Sequence, residues 1–208
     1  STPFVRGHAA YSYEAYEAEL GAWGETEMEW RKLQRKRWKE GFTGKSGIRL
    51  TGIHYFYLTQ IKIKDGEGRM IHPVWRDVDS MIFEMYEQCL HDGQDLAIFK
   101  RREVGLSSIF GAAIPIWTAI MFPGSTSLMT SADKPRVNDM YEQKFICSLN
   151  ELEDWLRPKI KKNDNKEGVA LFEVKDENLM VSKDLSQLRC RQTSQDKKDA
   201  TNLEGPRA

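Results

Sequence analysis

The residues best suited to chemistry lie in one stretch, Lys100-Arg101-Arg102-Glu103-Val104-Gly105-Leu106-Ser107-Ser108. Backbone amides turned inward at a glycine, followed by a hydroxyl and flanked by cations, suit phosphate oxygens. The phosphate-loop pattern G-x-x-x-x-G-K-[ST] uses its lysine for the outer phosphates and its hydroxyl for magnesium. Gly105 and Ser107 match the second glycine and the hydroxyl. Leu106 fills the lysine slot, and Lys100 stands where the first glycine belongs. Either the loop is dead, or its cation comes from upstream, where Lys100, Arg101 and Arg102 stand. Spacing alone leaves both open.

Such a cradle needs a strand running in and a helix running out. Asp95-Leu96-Ala97-Ile98-Phe99 supplies an apolar run for the strand, and residues 109–122 supply the helix. Pro115 falls inside that helix, where proline costs about 3 kcal/mol, so a kink or a helix boundary is expected there. The helical run is shorter than the roughly 20 residues of a bilayer span. It reads as a buried core helix, with no membrane partner.

Further along, residues 127–130 read as a strand and 135–149 as a helix. Residues 152–160 form a short segment, 161–166 a charged loop, 169–181 a hairpin turning near Asp176-Glu177-Asn178, and 185–193 another strand. Strand and helix alternating from Asp95 onward imply a parallel sheet with right-handed crossovers. Upstream, residues 13–37 read as helices broken near Gly21 and Gly24. Residues 48–63 are aromatic and β-branched and turn at Asp65-Gly66, so that 69–74 pair back as a hairpin. Residues 78–90 carry a helical apolar stripe through Met81, Ile82, Met85, Tyr86, Cys89 and Leu90.

The 208 residues carry zero formal net charge, so any nucleic-acid contact must be a local patch rather than a bulk field. Three scattered cysteines without C-x-x-C or H-E-x-x-H spacing argue against zinc and for a reducing compartment. The basic cluster Arg31, Lys32, Arg35, Lys36, Arg37 and Lys39, interleaved with Trp30 and Trp38, could face nucleic acid. Its acidic neighbours Glu25, Glu27, Glu29 and Glu40 favour a solvated helix. Gly41-Phe42-Thr43-Gly44-Lys45-Ser46 has two residues between its glycines instead of four and no strand ahead of it, so it reads as a loop. His54, His72 and His91 lack metal-ligand spacing and read as structural.

The run from Lys100 to Ser107 resembles the deviant Walker A loop of large terminase subunits, the DNA-packaging motors of tailed double-stranded DNA phages. There a cation upstream of the glycine often serves the phosphates. Lys100 matches the relocated lysine and Arg102 the second loop cation. Gly52-Ile53-His54-Tyr55-Phe56-Tyr57-Leu58 resembles the family's aromatic segment. Pro73-Val74-Trp75-Arg76-Asp77-Val78-Asp79 resembles its adenine-side motif, with Asp79 where glutamine is common. Thr130-Ser131-Ala132-Asp133-Lys134 resembles the loop after the next strand. Thr193-Ser194-Gln195-Asp196, Ala200 and Gly205-Pro206-Arg207 resemble the segment before the Walker B strand. Each motif is loose, and the match lies in their order from Ile48 to the C-terminus.

The resemblance implies an α/β fold with a P-loop NTPase core, an incomplete parallel sheet with flanking helices, preceded by a mainly helical N-terminal region with a β-hairpin. Residues 1–47 would be the helical region, 48–94 the hairpin and helix leading in, and 95–208 a partial core cut before Walker B. It implies an ATPase that drives double-stranded DNA into a capsid in the host cytoplasm. Its partners would be a portal, a small terminase subunit and further copies in a ring. Lys100 and Arg102 would be catalytic. ATP would be held by residues Lys100, Arg101, Arg102, Glu103, Val104, Gly105, Leu106, Ser107 and Ser108, with Arg76 and Asp79 on the adenine side and Ser107 on Mg2+. The Walker B aspartate and catalytic glutamate would lie beyond Ala208, so the chain reads as a piece of a longer protein, inactive alone. A helicase-like P-loop translocase and a non-catalytic scaffold with a degenerate loop are the alternatives.

Overall fold

A computed structural model describes residues 13–17, 27–44, 47–100, 105–164 and 168–193. The expected breaks near Gly21 and Gly24, Lys45 and Ser46, the loop residues Arg101, Arg102, Glu103 and Val104, and the motif from Ser194 to Arg207 lie outside them.

The fold is α/β, with helices packed against a mixed four-stranded sheet. Helix α1 covers residues 13–17 and α2 runs Glu27–Glu40. A two-residue ladder, β1 (Phe42–Thr43) with β2 (Arg49–Leu50), leads to α3 (Gly52–Gln60). The expected hairpin forms as β3 (Ile63–Lys64) against β4 (Met70–Ile71), and the striped helix as α4 (Asp77–Asp92).

Residues 52–60 depart from the extended reading. Thr51 accepts a hydrogen bond from the His54 amide at 3.1 Å and caps a helix whose nine residues are all buried. A helix buried on every side shows no amphipathic period, and its aromatic residues then mimic a strand.

Past Gly105 one helical rod runs to Met121. It opens as α5 (Leu106–Ser108), widens into a π-helix over Ile109–Ala113, and continues as α6 (Ile114–Met121). Pro115 sits in the first turn of α6, the boundary its sequence position called for. The Ile114 amide reaches back to the Ile109 carbonyl, and this wider turn removes the clash a proline makes inside a regular helix. A second π-helix, Met140–Ile146, lies between α7 (Lys134–Asp139) and α8 (Cys147–Asn150). The two π-helices pack together at Gly111, where a Cβ would stand 3.0 Å from Met140 Cε.

The sheet order is β5-β8-β7-β6, with β5 (Thr126–Ser131), β6 (Lys159–Asp164), β7 (Val169–Lys175) and β8 (Val181–Gln192). Only β5 and β8 pair in parallel, Thr126 against Gln187 through Ser131 against Gln192, so the sheet is mixed rather than parallel. The expected hairpin and final strand merge, because β8 is one long strand. The expected charged loop from Lys161 is instead part of strand β6. Its lysines sit on a sheet edge, where charge discourages further pairing. Asp95-Leu96-Ala97-Ile98-Phe99 makes no ladder among the described residues, though its burial alternates, with Leu96 and Ile98 half-buried and Phe99 98% exposed.

Alternate residues of β7 (Ala170, Phe172, Val174) and of β8 (Ser186, Leu188, Cys190) face the core. Ser186 Oγ donates to the Ala119 carbonyl at 2.7 Å, tying the sheet to α6. Buried Arg35 donates to the carbonyls of Ile120 (3.1 Å) and Lys175 (3.0 Å), joining α2 to the same corner.

His54 is buried between the rings of Trp75 (4.7 Å) and Phe83 (4.9 Å), and its Nε2 has no partner among the described residues. Burial lowers its pKa to about 3, and burial with Lys62 nearby lowers that of His72 to about 4. Both rings are neutral when folded and take up protons near pH 6.5 when unfolded. The stability they support is therefore present above pH 6.5 and is lost as pH falls toward 4, at up to about 1.4 kcal/mol per pH unit for each group. Urea unfolding between pH 7 and pH 4.5 should show that decline, and His54→Leu should flatten it. An unchanged slope in the variant would contradict this account.

Candidate phosphate-binding site

Gly105 carries φ 86° and ψ 5°, a left-handed geometry that suits glycine, and directly precedes the rod. The Ser108 amide closes the first turn on the Gly105 carbonyl at 3.0 Å. The amides of Leu106 and Ser107 open the helix and have no intrahelical acceptor. Ser107 is exposed, so its hydroxyl is available to a cation or phosphate at the rod's head. Ser108 is buried and forms part of the packing.

Leu106, in the slot of the usual lysine, is only 8% exposed and belongs to the core cluster. Position 106 therefore offers no cation at the head of the rod. Lys100 is exposed and lies just upstream. Arg76 approaches from the start of α4: a Cβ on residue 105 would stand 3.0 Å from its Nη2. Two segments 29 positions apart thus meet at the glycine turn.

Arg76 is held there by Asp79. Its Nε donates to Asp79 Oδ2 at 2.8 Å and its Nη2 to Oδ1 at 2.5 Å, a two-pronged pair across one helical turn. The Asp79 side chain is fully buried, while that of Arg76 is 37% exposed. Burial pushes the Asp79 carboxyl above its ordinary value, with Arg76 pulling it back, and the same hydrogen bonds raise the Arg76 pKa. Tyr57, buried on α3, lies near enough to feel Asp79, and burial together with that charge raises its phenol pKa. Tyr57 was not singled out in the sequence; inside an aromatic run it carries no distinguishing signal.

No protein-family model matches the chain, and no curated protein matches it. The short connection over residues 122–125 returns the rod against β5, which puts Gly105 toward the end where Ser131 and Gln192 stand. Ligands of α/β sheets gather at the carboxyl ends of parallel strands. Ser131 Oγ accepts from the Asp133 amide (3.3 Å), shaping the loop after β5.

The basic cluster on α2 has other employment. Arg31 pairs with Glu27 and lies 5.0 Å from the Trp155 ring centroid. Arg37 sits over Phe42 and Lys39 over Phe122. The cleft of about 400 Å³ beside Lys32, Arg35, Lys36 and Lys39 is also lined by Glu40, Asp176 and Glu177, so cations and carboxylates face each other across it. Among the described residues no group of three metal-ligating side chains occurs, and no helix is long and apolar enough to cross a membrane.

Proposed function

We propose that this chain is the nucleotide-cradling part of a P-loop ATPase of the large-terminase kind, which binds ATP with magnesium to drive double-stranded DNA into a capsid. The observation carrying this reading is Gly105, left-handed at the head of a helical rod, with exposed Ser107 beyond it and Arg76 alongside. The order of motifs along the sequence adds the motor assignment. Lys100 and Arg102 would neutralise the outer phosphates, the amides from Gly105 onward would cradle them, and Ser107 would hold magnesium. The metal would supply charge neutralisation between the outer phosphates. The buried Leu106 supports an upstream cation, since its own position turns into the core.

Titration of the chain with ATP in magnesium buffer tests the reading. Lys100→Ala and Arg102→Ala should each weaken binding by about tenfold or more, as expected for charge-assisted contacts to phosphate. Binding close to wild type in both variants would remove the relocated-cation idea, and no binding by the parent chain would favour the scaffold alternative.

A further inference from the structure

We infer that the outer face of the four-stranded sheet binds the phosphate backbone of double-stranded nucleic acid. The inner face is the packed one, with Ala170, Phe172 and Val174 of β7 and Ser186, Leu188 and Cys190 of β8 buried. Successive side chains of a strand point to opposite faces, so the residues between these look away from the helices. In register across that outer face, Leu128 pairs with Arg189, and Arg189 with Val169. Thr130 pairs with Arg191, and at the far edge Lys162 stands against Leu171 and Lys159 against Glu173. The face is open to water at Leu128, which is 47% exposed, and along Lys159, Lys161 and Lys162.

These positions gather Lys159, Lys161, Lys162, Arg189 and Arg191 on one surface. The carboxylate in register with them is Glu173, and Lys161 already holds it at 2.5 Å. In a chain of zero formal net charge this is the local patch that nucleic-acid binding requires. Its cations lie in two stretches of sequence that only the sheet brings together, whereas the continuous cluster on α2 is engaged with rings and carboxylates. Protection of a sheet edge accounts for the lysines of β6. It does not account for the arginines of β8, which lies between β5 and β7. Arg189 is half-buried, and its Nε has no hydrogen-bond partner among the described residues. A guanidinium held in that way gains from an incoming anion.

The spread of charge selects the kind of anion. Strands about 4.8 Å apart put the β8 arginines roughly 10 Å from the β6 lysines, a span that suits a polyanion rather than a single phosphate. None of the outer-face residues in these registers is aromatic, so unstacked bases find no platform. What remains is backbone contact, which a duplex offers with its bases already stacked and which carries no sequence information. This inference does not rest on the nucleotide reading, and its test uses no ATP.

The test is fluorescence anisotropy of the wild-type chain with a labelled duplex of about 30 base pairs, between about 50 and 200 mM KCl. Log affinity should fall against log salt with a slope of about −4, as expected when four or five cations meet phosphates. Lys159→Glu and Arg189→Gln should each weaken binding, and Arg189→Gln should make the slope shallower by about 1. Lys36→Glu on α2 should leave affinity unchanged, and duplexes of different sequence should bind within about threefold. Circular dichroism checks the fold of each variant, and exposed Lys159 decides the matter even if Arg189→Gln unfolds. No binding at about 50 mM salt, or wild-type affinity in both sheet variants, would overturn the inference and leave the nucleotide reading intact. Single strands bound more than about tenfold tighter than the duplex would overturn the choice of a double strand. Labelled polyglutamate binding as tightly as the duplex, with the same loss in Lys159→Glu, would assign the face to an acidic protein surface instead.

Discussion

Gly52→Ala is expected to destabilise the protein by about 3 kcal/mol or more, although alanine is the better helix former by roughly 1 kcal/mol. Gly52 opens α3, where it packs on the backbone of α2. A Cβ there would stand 2.8 Å from the Trp38 carbonyl carbon, closer still to its oxygen, and 3.0 Å from the Lys39 carbonyl carbon. Backbone atoms cannot swing aside as a side-chain end can.

This backbone is also pinned from two directions. The Trp38 carbonyl accepts from Trp117 Nε1 at 2.6 Å, and the Trp38 indole donates to Thr59 Oγ1 at 3.0 Å. Moving α2 to admit a methyl would break the contact to α6, which continues the rod headed by Gly105. A drop in Tm of about 6 °C or more by calorimetry is the expected reading for a chain of this size. Gly66→Ala is the control, since a Cβ at Gly66 meets nothing within 4 Å. Helix propensity and packing predict opposite signs at Gly52, so a Tm equal to or above wild type would mean that this helix contact is not as drawn.

Local signals in the sequence were enough for several elements with one face in water, though the alternating run from Asp95 to Phe99 forms no ladder among the described residues. The stripe on α4 emerged with its ends shifted by a residue or two, and the Asp65-Gly66 turn emerged in a hairpin much shorter than expected, two residues on each side. They failed where burial was complete or where charge served an edge. In α3 every residue is buried, which erases the period that marks a helix; the surviving clue was Thr51, a capping residue ahead of a glycine. In β6 the lysines signalled solvent, and they do face it, but from a strand.

At the candidate site the same division holds. The left-handed glycine and the helix after it follow from residue types in a row, and Pro115 marked the boundary inside the rod. The approach of Arg76 to Gly105 is a tertiary fact. Its trace in the sequence was the Arg-x-x-Asp spacing at a helix start, a pattern that serves surface ion pairs just as well.

Arg76→Leu is expected to cost about 3–5 kcal/mol, and Asp79→Leu distinctly less, although the two substitutions remove the same ion pair. The asymmetry comes from burial. Without Asp79, the Arg76 head is already 37% exposed and can turn to water. Without Arg76, the Asp79 carboxylate stays enclosed beside Tyr57, with its hydrogen bonds from Arg76 gone. It must then hold an unpaired charge or take up a proton. Removing both residues together should recover part of the Arg76→Leu loss, because a fully apolar replacement strands no charge.

The sign with pH is fixed by the direction of the shift. Burial already raises the Asp79 pKa above its unfolded value, and loss of Arg76 raises it further. A group raised in this way supports the fold most when protonated, below its unfolded pKa, and loses that support as pH rises through the folded pKa. The Arg76→Leu deficit should therefore shrink on acidification toward pH 4, against the opposite trend from His54 and His72. Urea unfolding of both single variants and the double variant at pH 7 and pH 4.5 measures all of this. Equal costs for the two single variants at pH 7 would show that Asp79 reaches water once Arg76 is gone.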